Sequence, residues 1–211
     1  GAQEELKRSV QTIIERTDAA DRGLNITAND VVLWVLSMSF HFVVTILLFL
    51  RRGATVVLCQ QPFPKALVDG IRLHGGTFLY ASPFHYHLLA AASGLQPAEL
   101  ERVRLAVSTA MKLPSAIAEA CAKRLGLELA EAYGIIEIGL PFVQQTPSPA
   151  RRGSLGAPLP DYRARIAEPD ADGVGEILLQ GPGLLDAYFA PWRTRAEILD
   201  GGWFHTGDLG R

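Results

Sequence analysis

Residues 31–50 read VVLWVLSMSFHFVVTILLFL, twenty positions without a charge between Asp30 and Arg51. Such a run admits two structures. About twenty apolar residues cover a bilayer core, and Arg51 and Arg52 stand where an anchor would. Against a span, Ser37, Ser39, His41 and Thr45 put polar groups in its middle, and Gly53 is followed at once by ATVVLCQ, a buried-strand pattern. The run divides better into a β-branched strand at 31–36, a polar turn around SMSFH and an apolar helix at about 42–51. It reads as the interior of a folded domain, not a membrane span.

The composition agrees. The 211 residues are 48% hydrophobic, ample material for a buried core. Twenty Lys plus Arg against 22 Asp plus Glu give a net charge of −2 with the signs interspersed, so no field steers the chain toward nucleic acid or an anionic membrane. The stretch RSVQTIIERTDAADR reads as a mixed-charge helix face. Cys59 and Cys121 lie far apart, without zinc spacing or a disulfide framework, which fits a reducing, cytoplasmic compartment. No export-leader pattern precedes the first helix.

Working outward from 31–50, Leu6, Val10, Ile13 and Ile14 recur at helical spacing and predict an amphipathic helix over about 4–20. Apolar strands then alternate with helices: VVLWVL, ATVVLC, GTFLYA, VRLAVST and ELAEAYG are the strands, and PKALVDGIRLHG, PFHYHLLAAASG and PSAIAEACAKRLG the helices. That alternation predicts an α/β fold, a parallel sheet flanked by helices, over residues 1–148. The texture changes at QQTPSPARRGS. From 149 to 211 the strands YRARIA and GEILLQ, joined by the turn signal DADG, predict a smaller β-rich, antiparallel partial-barrel subdomain.

Three stretches collect polar residues at strand ends: STAMKLP at 108–114, EAYGIIE at 131–137 and GGWFHTGDLGR at 201–211. Ligands of open α/β sheets sit beyond the carboxyl ends of the strands, so the first two can line one pocket. In this order and spacing the three resemble the adenylate-forming superfamily of acyl- and aryl-CoA synthetases, luciferases and peptide-synthetase adenylation domains. The family's counterparts are a Ser-Gly-Gly-Ala-Pro-Leu-Pro segment, Tyr-Gly-x-Thr-Glu and Thr-Gly-Asp. RRGSLGAPLPDYRARI and GEILLQGPGLLDAYFAPWRTRAEI look like two further family segments, and SFHFVVTILLFLRRGATVVL resembles the family's Phe-His pair, apolar helix and following strand. The resemblance runs from about residue 28 to the last residue.

It implies an AMP-forming ligase that joins a carboxylate to ATP, releases pyrophosphate and passes the acyl-adenylate to a thiol, coenzyme A or a carrier protein's phosphopantetheine arm. Glu137 would be the Mg²⁺ ligand, a hard oxygen donor; read alone, it could equally be a solvated glutamate stabilised at a helix start. Asp208 would accept both ribose hydroxyls, with Thr206 beside it; read alone, it is a turn aspartate between glycines. Tyr133 would lie against the adenine, with Gly134, Ile136 and the backbone of Thr109, Ala110 and Met111 nearby. His41 resembles the histidine bordering the carboxylate pocket, where it would place the acid; a lone His in an apolar run is also a common structural residue. Phe40, His41, Phe42, Val107 and Ile138 suit an apolar acyl or aryl acid.

Departures are equally specific. Ile136 replaces the family Thr and cannot hydrogen-bond a phosphate, Thr109 and Ala110 replace frequent glycines, and Val44 replaces a Gly. No phosphate loop ending in Lys and no later Lys-bearing domain is recognisable, which predicts a middle portion of a larger enzyme, inactive alone. A non-catalytic binding or scaffolding module with the same fold is the alternative.

Overall fold

A computed structural model describes residues 6–7, 9–59 and 63–211. The elements in order are β1 (Leu6–Lys7), α1 (Val10–Leu24), β2 (Val31–Trp34), α2 (Met38–His41), a π-helical stretch (Phe42–Ile46), α3 (Leu47–Arg51), β3 (Thr55–Leu58), α4 (Lys65–His74), β4 (Phe78–Ala81) and α5 (Pro83–Ala91). There follow β5 (Leu105–Ser108), α6 (Ser115–Leu125), β6 (Ala130–Ile135), β7 (Gly139–Val143), β8 (Arg163–Ala167), β9 (Gly175–Gln180), β10 (Ala187–Tyr188), β11 (Arg193–Thr194), α7 (Arg195–Ile198) and β12 (Phe204–Gly210).

The expected parallel layer is present as a six-stranded sheet in the order β3-β2-β4-β5-β6-β7, parallel except for β7. The inner strands β2 and β4 are apolar along their length because both faces are covered. The register pairs Val32 with Phe78, Leu33 with Leu79 and Trp34 with Tyr80. Alternate residues therefore part: Val32, Trp34, Phe78 and Tyr80 join the core under α1 and α3, while Leu33 and Leu79 join the core under α4, α5 and α6. On the first face Trp34 stacks on Tyr80 with ring centroids 5.3 Å apart, and Phe78 continues the stack at 6.2 Å. Such pairs contribute about 0.5–1.5 kcal/mol each beyond burial.

No described helix is long and apolar enough to cross a membrane, and 31–50 divides into β2 and the α2–α3 helical segment. The expected turn at SMSFH is not a turn: Ser37 stands at the helix boundary with extended backbone and Met38 opens α2. The serines mark a helix start, the other place where such residues are favoured. The first helix likewise differs from its expected span. Ser9 caps it by accepting the Thr12 N–H at 3.1 Å, and Asn25, at φ +49, closes it. Residues 4, 5 and 8 of the expected 4–20 helix lie outside the described residues, and Leu6–Lys7 is strand.

Beyond Val143 the strands are antiparallel, as expected, in a β12-β9-β8 sheet. A third small sheet was not foreseen: β1 pairs with β10, which pairs with β11, tying the start of the chain to residues 187–188.

Candidate functional site

The chain leaves β2 for β3 on one side and returns across to β4 on the other. Ligands collect at such a reversal of strand order, outside the carboxyl ends of the strands. A cavity of ≈ 400 Å³ lies there, of a size that takes a small molecule. It is lined by Phe40, His41 and Val44 from the segment after β2, Tyr80 from β4, Thr109 and Ala110 after β5, and Gly134 to Glu137 with Leu140 from the β6–β7 hairpin.

His41 ends α2 and stands edge-on to Trp34 and Tyr80, at centroid distances of 5.3 and 6.0 Å. Burial lowers its pKa to about 4, so at neutral pH it is an uncharged wall. Its Nδ1 is buried without a hydrogen-bond partner. Tyr80 closes the floor. Burial drives its phenol pKa up, opposed by hydrogen bonds with Thr109 and Thr45. Phe40 is half exposed at the mouth, whereas Val107 and Ile138, expected in the pocket, are wholly buried in the core and Phe42 does not line the cavity.

Ala110 has φ +71, the left-handed region that favours glycine. An L-residue there costs roughly 1–2 kcal/mol, and glycine's extra freedom when unfolded takes back roughly 0.4–1 kcal/mol. Ala110→Gly is accordingly expected to raise stability by about 0.5–1 kcal/mol in urea denaturation. A loss instead would show that the methyl packs productively. Met111, one residue on, is exposed and does not line the cavity.

The β6–β7 hairpin carries the acidic residue. It is tight: a Cβ on Gly134 would stand 2.6 Å from the Gly139 carbonyl, so the Tyr-Gly pair admits no other residue at 134. Glu137 lines the cavity. Its carbonyl accepts the Leu185 N–H at 2.8 Å, and its Oε1 faces the Tyr188 hydroxyl at 3.5 Å. Ile136 turns its carbonyl to Arg16, 3.0 Å from Nη1.

The third stretch joins through Tyr133. Tyr133 donates its hydroxyl to Asp208 Oδ2 at 2.5 Å, across 75 residues of sequence. Burial first, and then the Asp208 carboxylate, push the tyrosine's pKa upward, so it remains the donor. Thr206 bonds Tyr133 as well, and its hydroxyl donates to the Ile177 carbonyl of β9 at 2.7 Å and accepts the Asp208 N–H at 3.1 Å. Tyr133, Thr206 and Asp208 thus adjoin the cavity without lining it. Sequence reasoning missed Tyr80, Thr45, Tyr188 and Arg16; the aromatic ending of DAYFA was the one available signal, for Tyr188.

Among the described residues no group of three or more His, Cys, Asp or Glu side chains could hold a metal alone. A single cavity carboxylate fits a cation that takes most of its oxygens from phosphate and water. The arrangement can enclose an apolar group, present one carboxylate beside it and offer a second, exposed carboxylate steadied by Tyr133.

Residues 6–189 match the family profile described as AMP-binding enzyme. Among curated proteins, an indoleacetate–CoA ligase of Aromatoleum aromaticum is 31% identical over 168 residues, 76% of this chain and 33% of its own. A 4-coumarate–CoA ligase 3 of Arabidopsis thaliana is 27% identical over 97% of this chain and 39% of its own. Among solved structures, a malonyl-CoA ligase in a ternary product complex with methylmalonyl-CoA and AMP superposes with a TM-score of 0.79 at 27% identity, covering 98% of this chain and 49% of that one. The chain spans about a third to two fifths of the length of these curated relatives.

Proposed function

Because the chain belongs to the AMP-binding enzyme family, we propose that it forms the acid- and nucleotide-binding part of an ATP-dependent acid–thiol ligase. The observation that supports this is that two of the polar stretches line one cavity, with Glu137 on its wall, while the third is joined to them by the bond between Tyr133 and Asp208. A carboxylate oxygen of the acid attacks the α-phosphorus of ATP, pyrophosphate leaves, and the resulting acyl-adenylate loses AMP when a thiol attacks its carbonyl. Two anions must meet in the first step, so positive charge is required. Mg²⁺, when bound, supplies it by neutralising phosphate oxygens, and Glu137 is the residue that would hold it.

The chain's own residues do the placing. Tyr133 lies beside the adenine with the backbone of Thr109 to Met111, and the exposed oxygen of Asp208 takes ribose hydroxyls. The acid enters a cavity walled by Phe40, Val44, Tyr80 and Leu140, with neutral His41 as a hydrogen-bonding neighbour. Among the described residues no Lys or Arg lines that cavity, which favours an apolar aryl or acyl acid, in keeping with indoleacetate and coumarate in the names of relatives. Coenzyme A is the proposed thiol, a carrier protein's phosphopantetheine the alternative. Cys59 and Cys121, buried and unpaired, support a reducing, cytoplasmic setting.

Ile136 favours a second reading. Ile136 lines the cavity, and its side chain offers no donor to a phosphate, as befits a non-catalytic module of the same fold. Carboxylate-dependent ATP–pyrophosphate exchange separates the two. The full-length protein is expected to exchange with an aryl or fatty acid and the 211-residue chain alone is not. A folded full-length protein silent with every acid would leave the module, and Ile136→Thr would then be the first reversion.

A further inference from the structure

Arg16 sits midway along α1 and is 0% exposed. A buried guanidinium is costly unless its donors are met. Its Nε and Nη2 donate to the Gly183 carbonyl at 3.1 and 2.7 Å, and its Nη1 donates to the Ile136 carbonyl at 3.0 Å. Glycines make the room: a Cβ at Gly183, φ +77, would stand 2.1 Å from Arg16 Cβ, and one at Gly139, φ +105, would stand 3.3 Å from it.

The two carbonyls lie on either side of one feature. Ile136 immediately precedes Glu137, and the segment that begins at Gly183 supplies the Leu185 N–H to the Glu137 carbonyl and the Tyr188 hydroxyl to its carboxylate. We infer that Arg16 is a positioning residue for Glu137: its fork fastens α1, the Ile136–Glu137 turn and the 183–188 segment into one body. It acts through backbone carbonyls and not by touching substrate. A planar fork can bond both carbonyls at once, which a lysine ammonium on a flexible stem does less well. The inference rests on the proposal that Glu137 holds the metal–nucleotide.

The test uses the full-length protein as wild type, Arg16→Lys and Glu137→Gln, with Arg16→Gln should the lysine variant not fold. In hydrogen exchange without nucleotide, the amides of Ile138 and Leu185 are expected to exchange about tenfold faster in Arg16→Lys, with those of Leu33 and Leu79 within about twofold. In Mn²⁺ titrations with ATP, followed by paramagnetic resonance, binding is expected to weaken about tenfold, the range for losing support behind a metal ligand. A folded Arg16 variant with wild-type Mn²⁺ binding would reduce Arg16 to a strut and overturn the inference. If Glu137→Gln also binds Mn²⁺ normally, the metal assignment itself falls, and the inference with it. If Glu137→Gln loses binding and the Arg16 variant keeps it, only the role of Arg16 falls.

Discussion

Glu137→Gln in the full-length protein is expected to lower kcat/KM for pyrophosphate exchange by about two to three orders of magnitude, through the loss of about 3–4 kcal/mol of charge stabilisation. The substitution is chosen to be structurally silent. Glutamine keeps the length of the side chain and an oxygen for the Tyr188 hydroxyl, and the Leu185 N–H bonds the backbone carbonyl of residue 137, which no side chain alters. Stability should stay within about 0.5 kcal/mol of wild type. What glutamine lacks is the charge that a hard cation prefers. The defect should be relieved in part by raising Mg²⁺, while the KM for the acid, whose walls are Phe40, Tyr80 and Leu140, stays put. A folded Glu137→Gln enzyme exchanging at the wild-type rate would remove Glu137 from the chemistry.

The largest effect on stability is expected at Arg104. Asp30, 3% exposed at the foot of β2, accepts hydrogen bonds from the Thr27 N–H and the Thr77 hydroxyl, both at 2.8 Å, and from Nε and Nη2 of Arg104, both at 2.7 Å. Arg104 also donates to the carbonyls of Leu24 and Asn25 and lies 5.5 Å over the Phe78 ring. One ion pair thereby joins the end of α1 to the starts of β2, β4 and β5. Arg104→Met would strand the carboxylate, at a cost of about 3 kcal/mol, the lower end for a broken buried pair because the arginine is partly exposed. In a chain of this size that is roughly 6–12 °C in Tm.

The pH dependence carries the same signature. Burial alone would raise the Asp30 pKa, but Arg104, the Thr27 N–H and Thr77 outweigh it and hold the carboxyl at about 2, below 3.8. The folded form binds this proton less tightly than the unfolded chain, so the stabilisation, about 2.5 kcal/mol, is complete above pH 4 and is lost as pH falls toward 2. His41 acts earlier. Its pKa is also depressed, to about 4, so stability falls as the unfolded chain protonates below 6.5 and levels off near 4. Denaturant titrations across pH 7 to 2 should show both limbs, and Arg104→Met should flatten only the lower one. A lower limb unchanged in that variant would assign the acid sensitivity elsewhere.

What the sequence made legible was whatever repeats at short range. The parallel strands announced themselves as β-branched runs punctuated by glycine, and motifs pointed to Glu137, His41 and Phe40 in the cavity but not to Tyr80 or Leu140. Elements defined by distant partners did not. The strand Gly139–Val143 contains Pro141, which argues against a central strand, and it forms because β6 offers an antiparallel edge. The π-helical stretch has no sequence period of its own. Arg16, in a mixed-charge helix, reads as a solvated residue and is wholly buried only because two carbonyls from residues 136 and 183 come to meet it. Tyr133 and Asp208 were each singled out by their motifs, but their bond to each other was not legible.

The bonds between α1 and the 183–188 segment set a timetable for the nascent polypeptide. The Ser9 N–H and the Thr12 hydroxyl donate to the Asp186 carboxylate, and Arg16 waits for the Gly183 carbonyl. At ribosomal rates of 5–20 residues per second, the residues of the first helix wait roughly eight to thirty-five seconds before their partners are made. Until then the arginine and the apolar side of that helix are open to solvent and to chaperones. Closing a loop of that length adds little to its entropy over a shorter one, but it delays the step until the distant segment exists. The acidic turn that depends on it therefore becomes fixed only after the 183–188 segment has been made.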